Sequence, residues 1–109
     1  MPNLRRFEAK NNDLTDIYGL AGCPNLEQID LTSNSIVSID VLTGLVNLQE
    51  IILTDNDIVD ANAIKQFTAF PNLRLLDIRN NEIAKSKLRM LKATFALAKP
   101  DCQLLVDEN

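Results

Sequence analysis

Residues 26–34 read LEQIDLTSN, and this nine-residue phrase recurs along the chain. Related phrases stand at 4–12 (LRRFEAKNN), 48–56 (LQEIILTDN) and 73–81 (LRLLDIRNN), and a shorter one, QLLVDEN, occupies 103–109. The first three full phrases begin 22 residues apart, and the fourth begins after 25 more. Self-similarity at such a period predicts a solenoid, a stack of like units in which most leucines and isoleucines serve the core.

Each phrase predicts a short strand followed by a turn. Leu26, Ile29 and Leu31 should face the interior, because strand side chains alternate between the two faces. The closing asparagine suits the turn, since its amide both donates and accepts hydrogen bonds where the bending backbone leaves groups unpaired. We therefore expect stacked asparagines to form a ladder along the solenoid: Asn12, Asn34, Asn56, Asn81 and Asn109.

This pattern of strand leucines, asparagine and a following leucine or isoleucine resembles the leucine-rich repeat family. Four full repeats match, and they cover nearly the whole chain. The 22-residue units are most similar to the class found in the regulatory subunit of type-1 protein phosphatase and in bacterial internalins. The resemblance implies an α/β solenoid, a right-handed horseshoe with a concave parallel β-sheet and an irregular or helical convex side.

The C-terminal part departs from that class. The spacing of Leu88, Leu91, Phe95 and Leu97–Ala98 predicts a helix, which Pro100 ends. A helix followed by a short strand resembles the C-terminal cap of acidic nuclear phosphoproteins, dynein light chain 1-type proteins and the spliceosomal A-prime protein. It is also similar to the longer, helix-bearing repeats of ribonuclease inhibitor. We predict one domain over residues 1–109, with repeats near 4–25, 26–47, 48–72 and 73–100 and a terminal strand at 103–109.

Composition disfavours catalysis and membrane insertion. The chain has no histidine, two cysteines and three glycines, so the commonest general base, a zinc site of the usual kind and a phosphate-binding loop are all missing. Asp55 and Asp57 form a carboxylate pair suited to a weakly held cation, although turn-forming aspartates are the favoured interpretation. We expect no enzyme, cofactor, metal or small-molecule substrate, and no run approaches the roughly 20 apolar residues of a membrane span.

Cysteine use and the N terminus predict an intracellular protein of the cytoplasm or nucleus. The start, MPNLRRFE, has no apolar segment of the signal-peptide kind. Cys23 and Cys102 stand at apolar positions far apart along the stack, so a disulfide between them is not expected. Extracellular leucine-rich domains usually carry cysteine-clustered caps, and this chain has none. Two free, buried thiols indicate a reducing compartment.

Charge is distributed unevenly along the chain. Residues 1–64 hold ten acidic against three basic residues, and residues 65–109 hold eight basic against five acidic. The basic residues around the predicted helix suit an acidic partner or nucleic acid, or simply form a solvated helix face. We favour the second interpretation, and nucleic-acid binding is unlikely without exposed aromatic residues for base stacking. These basic residues are Lys85, Lys87, Arg89 and Lys92.

The outward positions of the sheet are the predicted binding surface. Ile52, Leu75 and Leu105 are aliphatic where solvent favours polar groups, and charged residues surround them. An apolar centre with a polar rim is typical of protein interfaces. A plainer interpretation is that Ile52 has high strand propensity and that Leu75 and Leu105 pack on each other or on the end of the sheet. The predicted partner-binding residues are Arg6, Glu8, Asp30, Glu50, Ile52, Leu75, Asp77, Arg79 and Leu105.

We therefore expect a module that binds another protein through its concave face. The alternative is a structural or regulatory subunit that docks into a larger assembly through its ends or convex side. The first strand follows only three residues from the start, so its edge has no cap. We expect a partner, a second copy or flanking sequence to cover that edge, which makes self-association one candidate.

Overall fold

The computed structural model describes residues 3–107. Five three-residue parallel strands form one sheet in the order of the chain. They are β1 (Arg6–Glu8), β2 (Gln28–Asp30), β3 (Glu50–Ile52), β4 (Leu75–Asp77) and β5 (Gln103–Leu105). Each repeat adds one strand beside the previous one, which confirms the predicted solenoid. The terminal strand ends at Leu105, earlier than predicted, and residues 108–109 lie outside the described part.

The convex side changes from 3₁₀ turns to α-helix as the repeats lengthen. The crossovers of the two 22-residue repeats hold 3₁₀ helices, Tyr18–Gly22 and Asp40–Gly44, whereas the third crossover holds α1 (Ala61–Lys65) and a 3₁₀ helix, Gln66–Ala69. The fourth holds α2 (Lys85–Ala98). Tighter 3₁₀ turns fit a short connection, and the extra residues leave room for helical turns. The predicted C-terminal helix is confirmed, although Leu97 is 89% exposed and does not join the core.

The core lies between the sheet and these convex segments. Ile29, Ile51 and Leu76, the middle residues of three strands, are buried, whereas Phe7 of β1 is half-buried. No strand precedes β1 within residues 3–107, so the end of the stack stays open there. The convex side contributes these buried residues among others: Leu20, Leu42, Ile64, Phe67, Leu88, Leu91 and Phe95.

The asparagine ladder is present at three of its five predicted positions. The Asn56 Nδ2 donates to the carbonyl oxygens of Leu53 (3.1 Å) and of Leu31 in the preceding repeat (2.9 Å). Its Oδ1 accepts from the Ile36 N–H at 3.1 Å. Asn34 and Asn81 repeat these contacts. Each amide therefore joins two repeats.

The two ends of the ladder differ from this arrangement. Asn12 is exposed, and its Nδ2 donates within its own turn to the Lys10 carbonyl at 3.0 Å. The prediction that it is a full member is wrong, because no earlier repeat stands beside it in the described chain. Asn109, the last predicted member, lies outside the described residues.

The residue before each ladder asparagine adopts a left-handed backbone. Its φ is 57° at Asn11 and Asn80 and 62° at Ser33 and Asp55. This region costs most side chains energy but suits Asn and Asp. The interpretation of Asp55 as a turn-forming residue is therefore confirmed. Its carboxylate also accepts from the Ser33 Oγ at 2.9 Å and the Asn80 Nδ2 at 3.1 Å.

Candidate functional site

Strand register places the predicted binding residues in rows across one face of the sheet. Arg6, Gln28, Glu50, Leu75 and Gln103 are successive partners in one row. The second row runs through the last residues of the strands: Glu8, Asp30, Ile52, Asp77 and Leu105. Parallel pairing without a register shift therefore brings all the predicted residues of these rows onto one surface. We call this surface the concave face.

The N-terminal half of the concave face is polar, and its charges are paired. The Arg6 Nη2 lies 2.8 Å from the Glu8 Oε1, and the Lys10 Nζ lies 3.5 Å from the Asp30 Oδ2. Asp30 also accepts from the Thr32 hydroxyl at 2.6 Å. Such exposed pairs contribute little stability singly. They place side chains of both signs next to each other on this surface.

Arg74 also lies at the charged border of the concave face, although the alternation of outward strand positions does not predict it. The Arg74 Nη2 lies 2.9 Å from the Glu50 Oε2, and its Nε donates to the same oxygen at 3.2 Å. Arg74 stands immediately before β4, so strand alternation assigns it to no outward row. The sequence does hold a signal for this position, because Arg74 is the second residue of its nine-residue phrase and the equivalent residues Glu27 and Gln49 are also polar.

Asp77 occupies the centre of the C-terminal half and is almost completely covered. Its side chain lies between its register partners Ile52 and Leu105, with Leu75 two residues away on the same strand. Only 5% of Asp77 is exposed, so it does not point freely into solvent as its outward position suggests, and its contact with a partner stays a prediction. Aliphatic neighbours and Arg79 cover its carboxylate, and strand alternation alone does not reveal such cover.

Arg79 satisfies the buried carboxylate. Its Nε donates to the Asp77 Oδ1 at 3.0 Å, its Nη2 donates to Oδ2 at 2.8 Å, and its backbone N–H donates to Oδ1 at 3.1 Å. Burial raises the pKa of Asp77, but hydrogen bonds from Arg79 and Thr54 outweigh this effect and leave the pKa below its ordinary value. The Asp77 carboxylate in turn raises the pKa of Arg79. Two-point pairing of this kind fixes the guanidinium plane.

Three half-buried aliphatic side chains surround this ion pair, and we call them the aliphatic patch: Ile52, Leu75 and Leu105. They share the concave face with Asp77, and Arg79 stands half-exposed beside them. The patch therefore combines apolar surface with a cation whose orientation is already set. Glu50 and Arg74 border it on the side of β3.

The described chain shows no group arranged for metal binding. No cluster of three or more cysteine, aspartate or glutamate side chains within residues 3–107 is placed to hold a metal ion. Over the same residues, no helix has the length and apolar character needed to cross a membrane. Cys23 is buried and Cys102 is half-buried, and both are free thiols, so the prediction of two buried thiols is wrong for Cys102. Burial raises the pKa of Cys102, against a smaller opposing effect of Lys99.

Comparison with known proteins agrees with this architecture. A family model described as leucine-rich repeats (two copies) matches residues 2–44. No curated protein matches the sequence at a significant level. Internalin C2 from Listeria monocytogenes is similar in structure, with 23% identity, a TM-score of 0.79 and coverage of 97% of this chain and 43% of its own.

Two further solved structures share the fold. Internalin InlF from Listeria monocytogenes has 18% identity and a TM-score of 0.75, over 98% of this chain and 31% of its own. A chain of the Drosophila melanogaster SNF/U2A′ complex has 24% identity and a TM-score of 0.68, over 95% and 60% respectively. This chain therefore spans less than two thirds of each of these proteins. Its fold is that of a leucine-rich-repeat solenoid.

Proposed function

We propose that this protein binds another protein through the C-terminal half of its concave face. The observation that carries the proposal is the aliphatic patch around the Asp77–Arg79 pair. Apolar side chains at the centre of a surface, bordered by charged groups, are typical of interfaces in which a few residues supply most of the affinity. Leucine-rich-repeat proteins generally mediate such interactions, and a chain of similar fold occurs in the SNF/U2A′ complex.

The geometry reduces the entropy lost on binding. Ile52, Leu75 and Leu105 stand on paired strands, and Asp77 holds the guanidinium of Arg79 at two points. Association is penalised by about 0.5–1.5 kcal/mol for each flexible side chain that it immobilises. A partner with an apolar anchor and an acceptor for Arg79 would therefore meet groups that are already ordered.

Lysine substitutions give a direct test of this surface. Ile52→Lys and Leu75→Lys remove apolar area while placing a positive charge beside Asp77 and Glu50, which are their register partners. Val37→Lys is a matched control, because Val37 is a 57% exposed aliphatic residue outside the sheet. Partners captured by the wild type are identified by mass spectrometry, purified and measured by calorimetry.

Loss of an anchor residue costs about 2 kcal/mol or more, so we expect Ile52→Lys and Leu75→Lys each to weaken binding by at least about tenfold. Val37→Lys should bind like the wild type. The proposal fails if both patch variants retain wild-type affinity, or if only Val37→Lys loses it. Circular dichroism melts confirm that each variant is folded.

One observation favours docking through the convex side as a second candidate. Met90 and Leu97 are 63% and 89% exposed and stand seven residues apart on α2, on the same side of the helix. Exposed apolar residues at this spacing suit packing against another helix. Met90→Ser with Leu97→Ser should abolish binding if this side is used, and Ile52→Lys should then have no effect.

We propose a reducing, intracellular compartment for the protein, in the cytoplasm or nucleus. The support is that both cysteines are free thiols and that one of them is buried. Disulfides persist mainly in oxidising compartments. Microscopy of the tagged full-length protein tests this placement, and a secreted or surface-bound product would contradict it.

A further inference from the structure

The N-terminal end of the solenoid combines a free strand edge with an apolar hollow. β1 is the first strand of the sheet within residues 3–107, so its outer edge has no strand partner there. Beside it lies an open hollow of about 340 Å³, with Leu4, Phe7, Leu14, Ile17 and Leu20 in its lining. Free edges accept a further strand.

The direction of the backbone groups defines what this edge offers. The Ala9 N–H donates to the Asp30 carbonyl at 3.0 Å, and the Arg5 carbonyl accepts from the Gln28 N–H at 3.0 Å. Both groups of a strand residue point to the same side and successive residues alternate. Arg6 and Glu8 therefore direct their backbone N–H and C=O groups away from β2.

We propose that a second copy of this chain adds its own β1 antiparallel to this edge, with Phe7 on the two-fold axis. In this register Arg6 of one copy stands opposite Glu8 of the other, and Glu8 stands opposite Arg6. These residues carry the outward backbone groups, so each pairing is the hydrogen-bonded kind of an antiparallel ladder. The two copies together form one ten-stranded sheet.

Side-chain chemistry selects this copy-to-copy pairing. Arg6 and Glu8 both point to the concave face, at 70% and 45% side-chain exposure, so each has free surface to meet the opposite charge across the axis. Opposite charges on facing strand positions stabilise a pair, and like charges destabilise it. The two Phe7 rings meet at the closer, non-hydrogen-bonded position, and the two hollows cover each other.

A head-to-tail arrangement fits the same edge less well. Continuing the observed register would set Gln103 of another copy beside Arg6, and Leu105 beside Glu8. That arrangement buries an aliphatic residue against a carboxylate and gives neither Arg6 nor Glu8 an opposite charge across the edge. It also generates an open filament, whereas the two-fold arrangement closes as a dimer.

Charge reversal tests the register. Sedimentation equilibrium at low ionic strength, from micromolar to millimolar concentration, should show a reversible monomer–dimer equilibrium for the wild type. Arg6→Glu places four acidic residues across the axis and Glu8→Arg places four basic ones. Each should weaken dimerisation roughly tenfold or more, because both facing pairs change from attraction to repulsion.

Mixing the two variants separates this contact from the salt bridge within one chain. An equimolar mixture of Arg6→Glu and Glu8→Arg should form a one-to-one heterodimer, visible by native mass spectrometry with one chain isotopically labelled. Only the contact between copies is restored in that mixture. The double variant Arg6→Glu, Glu8→Arg should dimerise with itself.

Four results would overturn the proposal. The first three are a wild type that stays monomeric at millimolar concentration, growth beyond the dimer, and single variants that dimerise as tightly as the wild type. The fourth is failure of the mixture to form a heterodimer. These outcomes are independent of whether the aliphatic patch binds a different protein.

Discussion

The Asn80 backbone N–H donates to both carboxylate oxygens of Asp107, at 3.0 and 3.1 Å. In the earlier turns the same N–H donates to a backbone carbonyl of the next repeat. The Asn11 N–H donates to Thr32 at 3.0 Å, and the Asp55 N–H donates to Arg79 at 3.0 Å. Asp107 stands in the position of Thr32 and Arg79, so its side chain takes the place of a main-chain acceptor.

Removing the Asp107 carboxylate should weaken the C-terminal turn. Asp107→Ala leaves the Asn80 N–H without its protein acceptor, but water reaches this exposed group. We therefore expect a loss of roughly 0.5–1.5 kcal/mol in urea unfolding. Asp101→Ala changes an exposed aspartate nearby and should stay within about 0.5 kcal/mol of the wild type. Equal effects in the two variants would rule out a specific role for Asp107.

The asparagine ladder predicts that the loss of unfolding free energy differs from one asparagine to another. Asn34→Ala or Asn56→Ala leaves backbone groups of two repeats unsatisfied, so each should cost roughly 1–3 kcal/mol in chemical denaturation. Asn12→Ala is the matched control, because its amide bonds within its own exposed turn. It should cost less than about 0.5 kcal/mol. A loss below that value for Asn56→Ala would contradict the ladder.

Most of the fold can be predicted from the repeat period. The spacing of Leu26, Ile29 and Asn34 predicts a strand, its buried face and its turn together, because each choice serves the same interior. Four recurrences then predict the stack and the parallel order of its strands. The asparagine chemistry is equally local, so the contacts of Asn34 and Asn56 follow from the sequence.

The burial and ion pairing of individual side chains depend on neighbouring residues that the repeat period does not specify. Strand alternation places Asp77 at an outward position, yet Arg79, two residues beyond the end of β4, and aliphatic residues on two other strands cover it. Leu97 follows the helical spacing of core residues, but α2 turns it away from the interior. The members of the concave face follow from alternation, whereas their burial and ion pairs follow from packing.

The Asp77–Arg79 pair predicts a pH dependence of stability. The folded-state pKa of Asp77 lies below its ordinary 3.8, so its contribution is fully present above that value and is lost as pH falls through the folded pKa. At pH 7, Asp77→Asn should lower the free energy of unfolding by roughly 1–2 kcal/mol, because charge-assisted hydrogen bonds are lost.

As the pH falls below 3.8, the ordinary pKa, the Asp77→Asn difference should shrink, because the carboxyl of the unfolded chain takes up a proton there while the folded carboxyl stays ionised until its own lower pKa. Urea unfolding across a pH series measures it. Asp57→Asn, at an exposed turn position, serves as the control and should change stability little at pH 7. A penalty for Asp77→Asn that stays constant down to pH 2 would show that packing, and not the ion pair, explains the loss.

The last prediction concerns Ile52 and uses its register with Asp77. From the sequence alone, Ile52→Asp is expected to leave stability nearly unchanged, because the side chain points away from the core. The structure corrects this expectation, since Ile52 is half-buried and directly opposite a buried carboxylate.

Facing like charges destabilise a strand pair and opposite charges stabilise it, each by up to about 1 kcal/mol. Ile52→Asp should therefore be less stable than Ile52→Lys by roughly 0.5–2 kcal/mol in urea unfolding at pH 7. Placing Asp77→Asn in both backgrounds should remove most of that difference, because the charge that discriminates between them is gone. If Ile52→Asp and Ile52→Lys are equally stable with Asp77 intact, the two side chains do not face each other on the sheet.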